Sequence, residues 1–246
     1  MPGARGLFTG RIGGASGPPY GAAEGVSDGM NLGDHVGDDP AAVAANRRAL
    51  AMRCGGVRIA WMTQVHGVEV ADLDAWDGSA VPEADAAVCG VPGIAACVMV
   101  ADCLPVLFAA PGAVGAAHAG WRGLAAGVLE RTLGAVCRKA SCAPGQVRAW
   151  LGPAIGPRCF EVGGEVREAF IVSDTQAACD FLQVSDGKWH ADLFALARRR
   201  LVRAGMTATD IHGGDICTMS NPALYYSFRR QRVTGRQAGL VWIPGG

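Results

Sequence analysis

Apolar residues recur every four positions along the segment from Arg122 to Lys139, at Leu124, Val128, Thr132 and Val136, with Leu129 widening the stripe. That period marks one buried face of an α-helix. A second helix is predicted over DDPAAVAANRRALAMRCGG. Asp39 is placed as its N-cap, Pro40 in the first turn and Gly55 past the end, with Val43, Leu50 and Cys54 on one face. A short helix near 164–170 and a longer one over 192–205, capped by Asp192 and ended by Gly205, complete the set. The segment 57-VRIAWMTQVHGVEV-70 has the β-branched and aromatic content of strand, turn, strand. The run 94–111 reads as a buried strand and its exit, because Asp102 and Pro105 interrupt it. Further strands are expected at 113-AVGAAHA-119, 147–155 and 239-GLVWI-243, the last preceded by 215-DICTMS-220 and a basic loop.

Residues 13–38 form a Gly-rich stretch too poor in apolar residues for a core element. Loops of that length tend to be functional or disordered. No internal repeat and no linker-like break divides the chain. The expected fold is α/β (α+β), one domain over 1–246, with mixed β-sheets layered with helices.

Composition removes several function classes. Lys+Arg and Asp+Glu balance at 22 each in 246 residues, so no electrostatic case exists for nucleic acid or an anionic membrane. The N-terminus lacks the apolar core of a secretory signal, and the longest apolar run is too broken to span a bilayer. The expectation is a cytoplasmic protein, monomer or homodimer. Nine cysteines without a CxxC pair argue against a disulfide framework or a zinc knuckle.

Three residues stand where core physics does not require them. His66 in 63-TQVHG-67, Cys103 in ADCLP and His118 in 117-AHAGWRG-123 each fall at the end of a buried strand. Two imidazoles and one thiol meet the ligand count of a catalytic zinc with an open position. The competing interpretation is three buried polar residues satisfied by the backbone. Arg122 falls at the start of a helix, where an anion is favoured, or it pairs with Glu130 or Asp102. His35, His190 and His212 read as structural, and Arg229, Arg230, Arg232 and Arg236 as a solvated face or a phosphate site.

The motifs 63-TQVHG-67, 101-ADCLPVLF-108, 117-AHAGWRG-123, 152-GPAIGPRCFEVG-163, 217-CTMSNPALYYSFRR-230 and 235-GRQAGLVWI-243, with 9-TGRIGGASGPPY-20 and 31-NLGDHVGDDPAAVAANR-47, closely resemble the YfiH/YlmD family. That family was first labelled a multicopper polyphenol oxidoreductase (laccase) family and later associated with purine nucleoside phosphorylase and adenosine deaminase activity. The resemblance implies a metal held by His66, Cys103 and His118, zinc with copper possible, and a fold like the catalytic domain of cytotoxic necrotizing factors. This chain departs from the family by inserting GAAEGVSDGM, about 21–30, between Tyr20 and Asn31.

Three functions follow. The first is phosphorolysis of adenosine, inosine or methylthioadenosine, with adenosine deamination. In it His66, Cys103 and His118 carry the catalytic metal, Arg122 binds phosphate, and Asn31, Gln64 and Arg11 touch substrate. The second is copper-dependent phenol oxidation (laccase-like). Five histidines with no HxH pair are too few for a trinuclear cluster beside this site. The third is a metal-free cysteine hydrolase or amidase, acting on cell-wall precursors, with Cys103 as nucleophile and His118 as base.

Overall fold

The computed structural model describes residues 3–21 and 28–245. In chain order, β1 (Arg5–Phe8) and β2 (Ile12–Ser16) precede α1 (Pro40–Arg53). Six strands follow: β3 (Arg58–Ala60), β4 (Val70–Asp72), β5 (Ala86–Cys89), β6 (Ile94–Val100), β7 (Leu104–Ala110) and β8 (Ala113–Ala119). Then come α2 (Trp121–Ala126), α3 (Val128–Ala140), β9 (Arg148–Leu151), β10 (Glu161–Gly163) and α4 (Gly164–Ile171). The last elements are β11 (Phe181–Ser185), β12 (Lys188–Ala191), α5 (Leu193–Arg203), β13 (Ile211–Gly213) and β14 (Gln237–Trp242).

β6, β7 and β8 are buried along their whole length, which explains their near-continuous apolar composition. Period-two alternation sorts their side chains into two layers. Ile94, Ala96 and Val98 of β6 meet Leu107 and Ala109 of β7 and Val114 and Ala116 of β8 in one cluster. Ala95, Cys97 and Met99 face the opposite way, onto Leu50 and Cys54 of α1. Leu104, Val106 and Phe108 pack with Leu129, Leu133 and Val136 of α3. The four-stranded sheet β1-β14-β6-β3 therefore stacks on the six-stranded sheet β13-β9-β7-β8-β5-β4, with helices outside both. This is the mixed α+β architecture the sequence predicts.

Several local expectations need correction. Residues 57–70 are not a hairpin: β3 lies in the four-stranded sheet and β4 in the six-stranded one, so the chain crosses between sheets. Pro105 does not end a strand but lies inside β7, opposite His118. Its carbonyl accepts the Gly152 N–H at 2.9 Å just past the end of β9, so the ladder to β8 does not need its missing N–H. The helix expected over 122–139 is two helices, because Gly127 takes a left-handed φ of 99° that no helix continues through. The small sheet β10-β12-β11 was not anticipated; its outer residues Leu182 and Val184 are exposed, so it lacks a legible apolar pattern.

The Gly-rich stretch contains a strand, β2, and buries Tyr20, Met30, Asn31 and Leu32. Hydrogen bonding substitutes for apolar content here. Asn46 of α1 accepts from Ala15 N–H at 2.7 Å and donates to the Gly29 and Asn31 carbonyls at 3.1 and 2.8 Å. Of the inserted segment 21–30, residues 22–27 lie outside the described residues.

Candidate metal centre

Two links carry the chain from one large sheet to the other at the same end, and each bears a ligand-type residue. The first, between β3 and β4, presents His66; the second, residues 101–103 between β6 and β7, presents Cys103. His118, the penultimate residue of β8, stands beside both. Their donor atoms all lie within 4.8 Å of one another, with Cys103 Sγ 3.8 Å from His66 Nε2. The two imidazoles meet edge to face, centroids 4.8 Å apart.

A buried carboxylate fixes two of the three. Asp85 is fully out of solvent and accepts the N–H groups of Val65, His66 and Gly67 at 3.1, 2.9 and 2.6 Å. This row of amides holds His66 at a φ of 62°, a region that non-glycine residues seldom enter. Asp85 Oδ1 also lies 2.8 Å from His118 Nδ1. Burial works to raise the Asp85 pKa, but the hydrogen bonds from His118 and the Gly67 amide hold it below the ordinary value. An ionised Asp85 can only accept, so His118 Nδ1 carries a proton and Nε2, once it gives up its own, is the nitrogen left to bind a metal.

Asp102 does the same for the third ligand. Its φ is 92°, and its carboxylate accepts from Thr218 Oγ1 at 2.6 Å, Ser227 Oγ at 3.0 Å and Arg229 N at 2.6 Å. Its carbonyl accepts from Ile155 N at 2.9 Å. The turn is thereby pinned on every side, and Cys103 is left to face the histidines. The glycines of HAGWRG allow the approach. A Cβ on Gly120 would lie 2.8 Å from His66 Cδ2 and 3.2 Å from Cys103 Sγ, and one on Gly123 2.7 Å from the Gly67 carbonyl. The glycine before Trp121 is there for space, since its own φ of −63° suits any residue.

Electrostatically the cluster is a poised ion pair. Burial opposes ionisation of Cys103, yet the charge and hydrogen bonds of His118, with help from His66, bring its thiol down to about 6. Burial likewise opposes charging of His118, and Cys103 and Asp85 together raise it to about 9. A thiolate and two imidazoles, oriented from behind, suit zinc or copper, the soft and borderline ions that such donors select.

The cluster opens into a cavity of about 470 Å³ whose walls include Trp61, Met62, Val81, Met99 and Phe228. Gln64, His35, Arg47 and Arg236 also line it. Gln64 spends both ends of its amide on Met99, accepting its N–H at 2.7 Å and donating to its carbonyl at 2.9 Å. Asn31 is fully buried and reaches the cavity at one remove: its Oδ1 accepts the Arg236 N–H at 2.8 Å. Arg11 is committed to the scaffold, bonding the Gly21 and Pro222 carbonyls and stacking on Tyr226. Arg122 is exposed, stacks on Trp121 at 4.4 Å and is not part of the cavity wall. Neither carboxylate expected as its partner pairs with it: Glu130 binds Arg200, and Asp102 holds its own turn.

The cations that do face the cavity are Arg47, stacked on Trp61 at 4.2 Å and paired with Asp34 at 3.1 Å, and Arg236. Arg236 donates only to the Thr234 and Gly235 carbonyls through Nη1, and no carboxylate among the described residues pairs with it. Sequence reasoning passed over Asp85, whose signal is a lone carboxylate among small apolar residues in 82-PEADAAV-88.

Fold and site together define the class. Residues 5–244 match the family model described as multi-copper polyphenol oxidoreductase laccase, and the chain belongs to that family. It is 48% identical over 243 residues to a purine nucleoside phosphorylase of Pseudomonas aeruginosa, covering 97% of this chain and 93% of that one. It is 46% identical over 237 residues to the purine nucleoside phosphorylase YfiH of Escherichia coli, covering 95% and 91%. The crystal structure of a Neisseria meningitidis protein matches with a TM-score of 0.90 at 41% identity, over 100% of this chain and 96% of that one.

Proposed function

We propose that this chain is a metal-dependent purine nucleoside phosphorylase that takes adenosine, inosine or methylthioadenosine, with adenosine deamination as a second activity of the same site. One observation carries the reading: the guanidinium of Arg236, which has no carboxylate partner among the described residues, faces the same cavity as the His66–Cys103–His118 cluster. A half-buried cation without a carboxylate is costly unless an anion completes it. Phosphate supplies that anion, and Arg47 lines the same cavity to share it. The anion role expected of Arg122 thus passes to Arg236 and Arg47. Trp61, Met62, Met99 and Phe228 offer the flat apolar surface that a purine needs.

In phosphorolysis a phosphate oxygen bonds to C1′ of the ribose as the bond from C1′ to the purine nitrogen breaks, giving free base and ribose 1-phosphate. Arg236 and Arg47 orient the nucleophile, and the apolar walls hold the base while excluding water. His66, Cys103 and His118 would hold a zinc or copper ion, which would supply Lewis-acid charge against the negative charge that develops in the transition state. Asp85 keeps the His118 proton on Nδ1 throughout.

A second reading is favoured by the Cys103–His118 pair itself. A thiol at about 6 beside a protonated imidazole is the arrangement of a cysteine hydrolase. Metal content separates the two readings, because a ligated thiolate is not free to attack.

The test is turnover of adenosine and inosine with and without phosphate, separating adenine, inosine, hypoxanthine and ribose 1-phosphate, on wild type, Cys103→Ala and Arg236→Met. Phosphate-dependent release of base, lost with the metal in Cys103→Ala, is the expected result. Inosine from adenosine without phosphate reports deamination. A folded, metal-loaded protein that yields neither product sinks the nucleoside reading.

A further inference from the structure

Two motifs of the chain, 152-GPAIGPRCFEVG-163 and 217-CTMSNPALYYSFRR-230, contribute no donor to the metal centre, yet each brings a cysteine to one spot. Cys159 closes a tight turn in which its N–H donates to the Gly156 carbonyl at 2.9 Å. Cys217 is laid against that turn by the parallel bridge between Ala154 and Cys217. The Gly156 N–H donates to Cys217 Sγ at 3.2 Å, and Cys159 Sγ lies 3.4 Å from Ser220 Oγ. A Cβ at position 156 would sit 3.0 Å from Cys217 Cβ, so only glycine lets the sulfur rest on that amide.

The two thiols are half-buried on neighbouring turns: Cys217 Sγ rests on the Gly156 amide that opens the Cys159 turn, and Cys159 Sγ meets Ser220, three residues on from Cys217. Burial works against ionisation of Cys217, but hydrogen bonds from Ser220, from the Gly156 amide and from Cys159 hold its pKa below the ordinary value. Another neighbouring pair, Cys137 and Cys142 at the end of α3, contrasts with it. Burial and the charge of Cys142 push Cys137 up to about 11, which leaves it a poor nucleophile at neutral pH.

We propose that Cys159 and Cys217 form a thiol–disulfide site that reacts with low-molecular-weight disulfides and is coupled to the metal centre through Asp102. Cys217 thiolate attacks the small disulfide, forming a mixed disulfide and expelling one thiolate. Cys159 then loses its proton to solvent and attacks the Cys217 sulfur, closing the intramolecular bond and expelling the second thiolate. Two protein thiols are oxidised by two electrons, and the small disulfide is reduced to two thiols.

The coupling runs through adjacent bonds. Thr218, next to Cys217, donates to Asp102 Oδ1 at 2.6 Å, and Ile155, next to Gly156, donates to the Asp102 carbonyl at 2.9 Å. Drawing the sulfurs away from the Gly156 amide and Ser220 into a bond of about 2.05 Å displaces one or both segments, and with them the turn that presents Cys103. This inference does not rest on the nucleoside chemistry.

The test uses zinc-loaded protein equilibrated in glutathione buffers of rising oxidised fraction, with disulfides mapped by mass spectrometry and zinc affinity read by chelator competition. The expected result is a Cys159–Cys217 link that dithiothreitol reverses, accompanied by a roughly tenfold loss of zinc affinity, the lower end for changes behind a metal's ligands. Cys159→Ser should keep its affinity under the same oxidant. The proposal is overturned if both thiols stay free while Cys137 and Cys142 or Cys103 are oxidised. It is equally overturned if the link forms with zinc affinity unchanged, or if Cys159→Ser loses affinity alongside wild type.

Discussion

Asp85 Oδ1 sits 2.8 Å from His118 Nδ1 while the same carboxylate accepts three consecutive backbone N–H groups around His66. One side chain thus orients two ligands from two elements. Asp85→Asn keeps the volume but replaces an acceptor with a donor on one side. It should weaken zinc binding by about 10–100-fold, measured by chelator competition. Asp85→Ala strands the three amides and should cost about 3–5 kcal/mol of stability in urea unfolding of the metal-free protein.

The Cys103 thiol gives a pH signature. In metal-free protein its alkylation by iodoacetamide should follow a midpoint near 6, and His118→Asn should move that midpoint upward. A depressed thiol stabilises above its ordinary range, and that stability is lost as pH falls through about 6. The raised imidazole stabilises below its ordinary value, and that stability is lost as pH rises through about 9. The two contributions change in opposite directions between about 6 and 9, so the melting temperature of metal-free protein should stay nearly flat across this window. A midpoint near that of a free thiol would show that the pair does not form.

Gly120→Ala places a methyl group against His66 and Cys103 at once. The backbone there accepts any residue, so the fold should survive with unchanged circular dichroism. Metal affinity should fall by one to two orders of magnitude, corresponding to about 1–3 kcal/mol of overpacking. A fully loaded Gly120→Ala protein would mean the ligands have more room than the structure gives them.

Arg236 and Arg122 make a paired comparison. Arg236→Met should raise the KM for phosphate at least about tenfold, the effect of removing a charge-assisted contact worth about 1.5–3 kcal/mol, with a smaller change for the nucleoside. Arg122→Ala, outside the cavity wall, should leave both constants close to wild type. The reverse pattern would return the phosphate to the start of α2.

Metal counting bears on the laccase description. Among the described residues one cluster of three ligand-type side chains is present. Elemental analysis of folded protein loaded with zinc or with copper should find one ion per chain. Several coppers per chain would require donors beyond this cluster.

Much of this was legible in the sequence where periodicity operates. The stripe Leu124, Val128, Thr132 and Val136 is buried as its spacing demands, even though Gly127 splits the helix. The cap on α5 is Asp192, as its position implied, accepting from Phe194 and Ala195. His66, Cys103 and His118 stood out because strand ends do not need imidazoles or thiols. What escaped was whatever depends on contacts remote in sequence. Arg236 looks like one more arginine in a basic loop until Asn31, 205 positions away, is found holding its backbone. Asp85 carries no local mark of its partnership with His118, 33 residues on. The Gly-rich segment reads as structureless because its few buried apolar residues, Tyr20, Met30 and Leu32, form no periodic pattern and Asn46, remote in sequence, orders the rest.

Two of the links between the large sheets carry a ligand, and the third ligand comes from the strand beside them. An ion gripped here is a rivet added to layers already joined by packed side chains and by the chain's own crossings. Ligation is consequently a late event in assembly: no fragment ending before His118 holds all three donors, and no order of folding creates the site before the sheets have docked. Metal uptake can then serve as a stopwatch for tertiary assembly, and amide exchange at the riveted rim should report whether the ion is in place.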